Sequence, residues 1–335
     1  MDIEQPEVLL NYLRQTGRLN AGEQPVIRIL AGGVSNRTVL VERRNGEAYV
    51  LKQALEKLRV KADWFSSPLR IHREAMGMRW LEKLAPAGTI TPLIFEDEKH
   101  HLLAMAAVPQ PHANWKSMLL EGRLSLEHIG QFGRLLGMIH RQAYERRSEI
   151  EDVFDDNSFF ESLRIEPYYT YTGTQVRTTE RFFKNLIDDT RSRRFTIVHG
   201  DYSPKNILVY QGRLVLLDHE VIHFGDGAFD LGFSMSHLLS KAHYLTSQRN
   251  DFAQATLHFW KTYKDCVGEL PWVVDLEPRV VRHALACLLA RVAGRSLLEY
   301  FTPEQHIRQK EVVVKLMHNL PGSISNLAEK FINAL

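Results

Sequence analysis

Residues 197–231 read IVHGDYSPKNILVYQGRLVLLDHEVIHFGDGAFDL, and this stretch holds a dense set of acidic and polar side chains. Apolar runs on both sides of a Gln-Gly pair at 211–212 predict two antiparallel strands joined by a tight turn. The arms of such a hairpin lie side by side, so the segment before it emerges next to the segment after it. The pattern therefore predicts that Asp201, Asn206 and Asp218 lie close together.

These three side chains offer the hard oxygen atoms that Mg²⁺ prefers in nucleotide sites, where it takes few carboxylates from the protein. We predict that Asp218 and Asn206 ligate the metal and that Asp201 orients an attacking hydroxyl and accepts its proton. Protein kinases divide the work similarly between a catalytic-loop Asp, a later Asn and a further metal-binding Asp. The spacing from Asp201 to Asn206 is also the same as in protein kinases.

The motifs in this region are HGD at 199–201, Asn206, DHE at 218–220 and FDLG at 229–232. Together they resemble the catalytic core of the aminoglycoside phosphotransferase and choline kinase superfamily. The resemblance implies an α+β, bilobal, protein-kinase-like fold with a small antiparallel-sheet N-lobe (1–107) and a larger, mainly helical C-lobe (108–335). It also implies an enzyme that uses ATP and Mg²⁺ to phosphorylate a hydroxyl of a small-molecule acceptor.

Two further residues take roles from this superfamily pattern. Asp230 is expected to brace the catalytic loop by hydrogen bonds. Glu220 is predicted to hold a second metal ion or to support the first, because its carboxylate follows Asp218 by two residues.

Two other functions remain open at this point. The histidines at 199, 219 and 223, with the neighbouring carboxylates, could ligate a transition metal in a metallohydrolase. A nucleotide-binding pseudokinase is the non-enzymatic alternative, although every expected catalytic position is intact.

The whole chain has 335 residues, 44% hydrophobic and 24% charged, which suits two lobes with a sizeable core. A net charge of +2 gives no indication of a nucleic-acid partner. The absence of a long apolar run and an acidic first segment lead us to expect a cytoplasmic protein with no membrane partner. Cys266 and Cys287 are too few for a disulfide scaffold, and the oligomeric state stays open, a homodimer included.

In the first lobe the pattern predicts a helix over residues 7–18 and strands over 26–30, 37–43, 48–53, 91–95 and 101–105. The turn AGGVSN at 31–36 is similar to the superfamily's nucleotide loop, in which backbone amides approach phosphate. The residues implied to bind the nucleotide there are Gly32, Gly33, Ser35 and Asn36. A plain hairpin turn is the alternative.

Lys52, on an apolar strand, is predicted to bridge the nucleotide phosphates and to be held by a glutamate of the next helix. Glu74 and Glu82 both fall on the apolar stripe of that helix. We choose Glu74, because it comes early in the helix and the Arg-Glu-Ala sequence around it resembles the family's.

Residues 53–75 read QALEKLRVKADWFSSPLRIHREA and resemble the matching part of the 5-methylthioribose kinases. The resemblance implies that Trp64 and Arg70 lie beside the acceptor, with ordinary packing as the alternative for Trp64. Because of this resemblance, a sugar-like acceptor is our first expectation. One departure from the family is Asn206, where that family tends to have Ser. An aminoglycoside or amino alcohol is the alternative acceptor.

An apolar stripe in residues 278–301 contains Arg291 and Arg295, four residues apart. Buried arginines must be paired, so we predict that they form structural ion pairs or contact the substrate. Methylthioribose kinases have an arginine pair followed by glycine at about this point and use it on the sugar. The resemblance extends to Arg291 and not to its neighbour, which is Ala290 here.

Ser125 is predicted to cap a helix over residues 126–144, in which His140 has a structural role. Residues 150–180 mix acidic and aromatic side chains without a clear period. If they line the acceptor site, their carboxylates would suit a cationic acceptor.

Overall fold

The computed structural model describes residues 1–30, 33, 35–59 and 64–335. Within them the chain has the expected bilobal α+β fold, with a five-stranded antiparallel sheet in the first lobe and a mainly helical second lobe. The phosphate-binding residue predicted at Gly32 lies outside the described residues.

The strands are β1 (Val26–Ile29), β2 (Asn36–Glu42), β3 (Ala48–Ala54), β4 (Leu93–Asp97), β5 (Leu102–Ala106), β6 (His112–Asn114), β7 (Thr196–Val198), β8 (Ile207–Tyr210), β9 (Arg213–Leu216) and β10 (His223–Gly225). The helices are α1 (Pro6–Gln15), α2 (Arg70–Leu84), α3 (Trp115–Leu120), α4 (Leu126–Glu145), α5 (Arg147–Ile150), α6 (Ser158–Phe160), α7 (Tyr171–Gln175), α8 (Glu180–Ser192), α9 (Ala228–Tyr244), α10 (Arg249–Val267), α11 (Leu276–Ala293), α12 (Pro303–His318) and α13 (Ile324–Ala334).

The first-lobe sheet has the strand order β1-β2-β3-β5-β4. Its two faces are covered by different helices: Leu51 packs with α1, whereas Leu103 and Met105 pack with α2. Because side chains alternate along a strand, Lys52 projects from β3 toward α2. All five predicted strands are present, each within two residues of its expected bounds.

The hairpin predicted at the centre of the sequence is confirmed as β8 and β9, with β6 as a third strand beside β8. Its turn residues Gln211 and Gly212 have φ angles of 49° and 73°, the positive values that a type I′ hairpin turn requires at both positions. The backbone N–H of Leu217 donates to the carbonyl oxygen of Asn206 at 2.9 Å. This bond joins the loops at the open end of the hairpin.

Helix α9 forms the centre of the second lobe, where every residue from Ala228 to His243 is buried. Helices α10 and α11 pack against it. The predicted helix over 126–144 is α4, and Ser125 caps it by accepting from the backbone N–H of His128. Both cysteines are free, and none of the described helices is long and apolar enough to cross a membrane.

Residues 150–180, which showed no clear period, form short helices around a π-helical run, Glu161–Thr170. Pro167 lies inside this run and lacks a backbone N–H, so a regular α-helical hydrogen bond is missing at that point. A wide turn of this kind gives no 3.6-residue period in the sequence.

The prediction that Arg291 and Arg295 lie on one apolar stripe of a helix is wrong, because α11 ends at Ala293. The backbone N–H of Arg295 donates to Pro167 O at 3.3 Å, so the chain has already left the helix. The side chain of Arg295 is exposed and pairs with Glu166 at 2.9 Å. Spacing of four residues places two side chains on one face only while the helix continues.

Candidate active site

The loop that carries the HGD motif, residues 199–201, is held by a buried carboxylate at the start of α9. Asp230 accepts hydrogen bonds from the backbone N–H groups of His199 and Gly200, at 2.6 and 2.8 Å. Gly200 has a φ of 76°, and a Cβ on it would lie 2.7 Å from Val221, so only glycine fits. The bracing role expected for Asp230 is thus present in the structure.

His140 lies behind this loop, as expected, and both of its ring nitrogens face partners inside the protein. Its Nε2 lies 3.4 Å from Asp230, and its Nδ1 lies 2.9 Å from the hydroxyl of Tyr263. Burial by itself would raise the pKa of Asp230, but hydrogen bonding and the charges of His140 and His199 lower that pKa below its usual value. Asp230 therefore stays ionised and keeps accepting both backbone hydrogen bonds.

Asp201 is oriented from both sides. The amide nitrogen of Asn206 donates to Asp201 Oδ2 at 2.7 Å, and an Nη of Arg164 lies 2.9 Å from Oδ1. The Nε of Arg164 also donates to the carbonyl of Gly200 at 2.6 Å, so this buried arginine joins the loop's backbone and carboxylate. The side chain of Asp201 is 16% exposed, which leaves it accessible to a small molecule.

Arg164 is a functional candidate that the sequence did not indicate. It lies in the π-helical segment, whose residues show no period, and its partner Asp201 is far along the chain. The only signal available was an arginine within a stretch rich in aromatic residues.

Lys52 joins the two lobes through carboxylates. Its Nζ lies 2.6 and 2.8 Å from the two oxygens of Glu74 on α2, and 2.6 Å from Oδ1 of Asp218. Glu82, the alternative partner, is exposed. The structure therefore pairs Lys52 with Glu74, as predicted, and it also places Asp218 on the same ammonium group, a contact that the sequence did not indicate.

Burial would lower the pKa of Lys52, but the charges of Asp218, Glu74 and Glu220 raise it above its ordinary value. Burial would also raise the pKa of Asp218, yet the charges of Lys52 and Lys205 lower it. Burial raises the pKa of Glu74 in spite of Lys52. The site thus holds an ammonium group and an ionised Asp218 at neutral pH.

Glu220 ties the start of β2 to the second lobe. Its Oε2 accepts from the amide nitrogen of Asn36 at 3.2 Å and from Nε of Arg70 at 3.1 Å. Ser35 and Asn36 are buried, and Gly33 is exposed. Glu220 is therefore positioned by two donors, one from the predicted nucleotide loop and one from α2.

The predicted substrate contact of Arg70 is not what the structure shows. Its side chain is fully buried, and its remaining N–H groups donate to the backbone carbonyls of Ser35, Leu55, Ser66 and Ser67. A guanidinium has five N–H donors, and each of them is used inside the protein. We correct its role to that of a positioning residue for Glu220 and the surrounding loops.

The other residues predicted to contact the substrate are Trp64, Arg291 and Arg295, and each has a different environment. The indole N–H of Trp64 donates to Ser162 O at 3.3 Å, and its partly buried ring packs on the core. Arg291 donates to the hydroxyls of Tyr168 and Ser296 at 3.1 and 2.7 Å. Arg295 lies on the surface, where it pairs with Glu166.

The carboxylates of Glu74, Asp218 and Glu220 each offer an oxygen within 4.8 Å of the others, a group that could hold a metal ion. Oxygen-only donors fit Mg²⁺ rather than zinc or iron. The amide nitrogen of Asn206 is used on Asp201, which leaves its oxygen as the possible ligand.

No histidine of the described chain belongs to such a group. His199 and His219 face each other at 3.1 Å, and His223 is stacked on Phe160. The histidine-containing set that the metallohydrolase alternative needs is therefore not assembled in the described structure.

The chain is similar in sequence or in fold to several known kinases. The methylthioribose kinase of Pectobacterium carotovorum is 23% identical over 259 residues, covering 69% of this chain and 64% of the relative's length. The choline kinase of Streptococcus pneumoniae has a TM-score of 0.55 at 14% identity, covering 94% and 99% of the two chains. The choline kinase of Cryptosporidium parvum has a TM-score of 0.59 at 12% identity, covering 94% and 96%.

The structural likenesses, at such low identity, show the protein-kinase-like fold. Residues 26–270, well over half of the chain, match the model of the phosphotransferase enzyme family. By this match, the chain belongs to the phosphotransferase enzyme family.

Proposed function

We propose that this protein transfers the γ-phosphate of ATP to a hydroxyl group of a small molecule, with Mg²⁺ as its metal cofactor. The observation that carries the proposal is the placement of Asp201, fixed by Arg164 and Asn206, on a loop joined by the hairpin to Asp218. A carboxylate held in this way can orient a hydroxyl and accept its proton.

The residues at the lobe junction divide the remaining work. Lys52 is a charged donor already ordered by Glu74, so it can turn to a phosphate at little entropic cost. Asp218 and Asn206 would hold the metal, and Glu220 would support it from the side of the nucleotide loop. The bound metal would neutralise charge that develops on the transferring phosphoryl group.

For the acceptor, a sugar-like hydroxyl remains our first proposal, supported by the similarity to a protein named methylthioribose kinase. Aminoglycosides and amino alcohols need acidic side chains that are free to bind ammonium. In residues 150–180 the carboxylates of Asp156, Glu161 and Glu166 lie 2.7–3.0 Å from Arg73, Arg191 and Arg295. This pairing weakens the argument for a cationic acceptor.

The test measures ADP release from ATP, with and without Mg²⁺, across methylthioribose, ribose, aminoglycosides and choline. We expect release that requires Mg²⁺, is stimulated by one acceptor, and is lost in Asp201→Asn. Asp265→Asn, an exposed carboxylate paired with Lys261, is the matched control and should keep full activity.

Two results would contradict the proposal. One is a protein that fails to bind ATP in the presence of Mg²⁺, measured by titration calorimetry. The other is acceptor-stimulated ADP release that survives in Asp201→Asn.

A further inference from the structure

A group of basic side chains meets beside the catalytic loop in the second lobe, and the proposed chemistry does not use it. It contains Lys116 on α3, His237 and Lys241 on α9, and Arg291 on α11; we call it the basic cluster. The Nζ atoms of Lys116 and Lys241 lie 5.9 and 5.8 Å from the centre of the Tyr300 ring.

Lys241 is the most unusual member. Its side chain is fully buried, and its Nζ donates only to the carbonyl of His237, at 3.3 Å, among the hydrogen bonds of the described residues. The described chain gives it no carboxylate within ion-pair distance. A buried ammonium without a counter-ion is costly, so such groups are paired in most proteins.

Other polar atoms of the cluster also lack partners. Nε of Arg291, Nε2 of His237 and the hydroxyl of Tyr300 are buried, and none of them has a hydrogen-bond partner among the described residues. Native proteins satisfy most buried polar atoms, so these unpaired atoms leave the cluster with hydrogen-bonding capacity for a bound partner.

The charge balance of the cluster is positive. Glu299 is paired with Lys116. Burial and then the charges of Lys116 and Arg291 lower the pKa of Lys241 to about 7, while Glu299 acts in the opposite direction. Burial and the same positive neighbours hold the pKa of His237 well below its usual value.

Contacts link the cluster to the catalytic loop along two routes. The side chain of Asn114, just before Lys116, donates to the carbonyl of Lys205 beside Asn206 at 2.8 Å. Phe233, one turn before His237 on α9, lies 5.7 Å from the guanidinium of Arg164 that holds Asp201.

A third route to the catalytic loop starts at Arg291 on α11. Arg291 donates to the hydroxyl of Tyr168 at 3.1 Å, and the Tyr168 ring is 5.7 Å from the Arg164 guanidinium. Tyr168 and then Arg164 thus connect Arg291 of the basic cluster to the Asp201 carboxylate.

We propose that the basic cluster binds an anionic group of the acceptor, a carboxylate or a phosphate, and so selects acceptors that are negatively charged. The inference rests on the proposed function, since it assumes that the hydroxyl to be phosphorylated lies at Asp201. An anion at this position would give Lys241 its missing counter-ion and would accept from Nε of Arg291. A quaternary ammonium or an aminoglycoside would be repelled by the same side chains.

The test uses acceptor pairs that differ in charge but share hydroxyl groups: glycerate with glycerol, and ribose 5-phosphate with ribose. Binding is measured by titration calorimetry to the protein with Mg²⁺ and a non-hydrolysable ATP analogue. We expect at least one anion to bind about tenfold or more tightly than its neutral partner, because a hydrogen bond to a charged group contributes a free energy of that size. The first pair reports a carboxylate preference and the second a phosphate preference.

Two variants and a proton count make the test specific. Lys241→Met, nearly equal in volume, and Lys116→Met should each reduce the preference for the anion, whereas Lys261→Met on the exposed surface of α10 should not. Titrations at pH 8 in two buffers of different ionisation enthalpy should show proton uptake, because an anion raises the pKa of Lys241.

The outcomes separate this inference from the proposed function. If the ATP analogue binds but the anions bind no better than their neutral partners, or not at all, the inference is overturned alone. A preference that persists in Lys241→Met and Lys116→Met also overturns it. An ATP analogue that fails to bind contradicts the proposed function, however the acceptor pairs behave.

Discussion

At the level of single residues, Arg164 decides how Asp201 points. It joins the carboxylate of Asp201 to the carbonyl of Gly200 with a rigid forked group, and lysine cannot reproduce both contacts. In Arg164→Lys we expect kcat for phosphoryl transfer to fall about 100-fold with little change in KM for ATP, since small misplacements near reacting atoms have effects of that size.

The measurement is steady-state ADP release with an acceptor found in the panel, or ATP hydrolysis if none is found. Arg191→Lys, an exposed arginine paired with Glu161 at 2.7 Å, is the matched control. A tenfold change in rate corresponds to about 1.4 kcal/mol of activation free energy. A kcat of Arg164→Lys within about twofold of the wild-type value would therefore be too small a change for this role and would refute it.

Lys241 should make the stability of the protein depend on pH. The groups that face it are Lys116, His237, Arg291, Glu299 and Tyr300. Its pKa is lowered from 10.5 to about 7 in the folded state, so the unfolded chain binds more protons between these values. The free energy of unfolding should therefore rise from pH 7 to pH 9, by at most about 1.4 kcal/mol per pH unit from this group.

Urea unfolding at pH 7, 8 and 9 measures this slope. Lys241→Met should remove part of it and raise the stability at pH 7, whereas Lys261→Met should keep the wild-type slope. Equal slopes in all three proteins would mean that Lys241 keeps an ordinary pKa in the folded state.

At the level of elements, α4 and α10 are held in close contact by glycines. A Cβ on Gly133 would lie 2.2 Å from Oγ1 of Thr262 and 2.7 Å from the carbonyl of Phe259. A Cβ on Gly130 of the same helix would meet only the ends of the Arg134 and His258 side chains, at 3.0 and 3.2 Å. Gly133→Ala should therefore separate the helices, and Gly130→Ala should not.

We expect Gly133→Ala to lower the free energy of unfolding by about 1 to 3 kcal/mol, the usual effect of overpacking. Gly130→Ala should be neutral or stabilising by up to about 1 kcal/mol, because alanine is the better helix former. Thermal unfolding of the two variants checks the difference. Equal melting temperatures would show that α4 and α10 can move apart without loss of stability.

The elements also show what sequence can and cannot predict. The β8–β9 hairpin and the first-lobe strands were predictable because turn residues and apolar patterns are local signals. The end of α11 was missed, since apolar and basic residues continue past Gly294 and the backbone bond from Arg295 to Pro167 comes from a distant segment.

For the candidate site, the motifs placed Asp201, Asn206 and Asp218 together, because one hairpin joins their loops. Arg164 and the role of Arg70 could not be predicted in this way. Each depends on side-chain contacts with segments far away in the sequence, and neither the π-helical run nor a buried arginine has a local pattern.

At the level of the whole molecule, Arg70 joins the two lobes. Its Nε binds Glu220 of the second lobe at 3.1 Å, and its other N–H groups bind first-lobe carbonyls such as Leu55 O at 2.7 Å. Arg79, on the same helix α2, instead forms an exposed pair with Glu96 at 2.6 Å. The two arginines therefore allow a matched comparison of buried and surface pairing.

We expect Arg70→Met to lower the free energy of unfolding by about 3 to 5 kcal/mol, because it leaves the buried carboxylate of Glu220 without its charged partner. Arg79→Met should change it by less than about 1 kcal/mol, as for other exposed pairs. The double variant Arg70→Met with Glu220→Gln should recover part of the loss, since it removes the unpaired charge as well. Urea unfolding of these proteins, with hydrogen exchange on the segments around Ser35 and Ser66, measures both the stability and the order of the loops. If Arg70→Met unfolds like Arg79→Met, the lobes are held mainly by Lys52 and its carboxylates, and Arg70 is not the link between them.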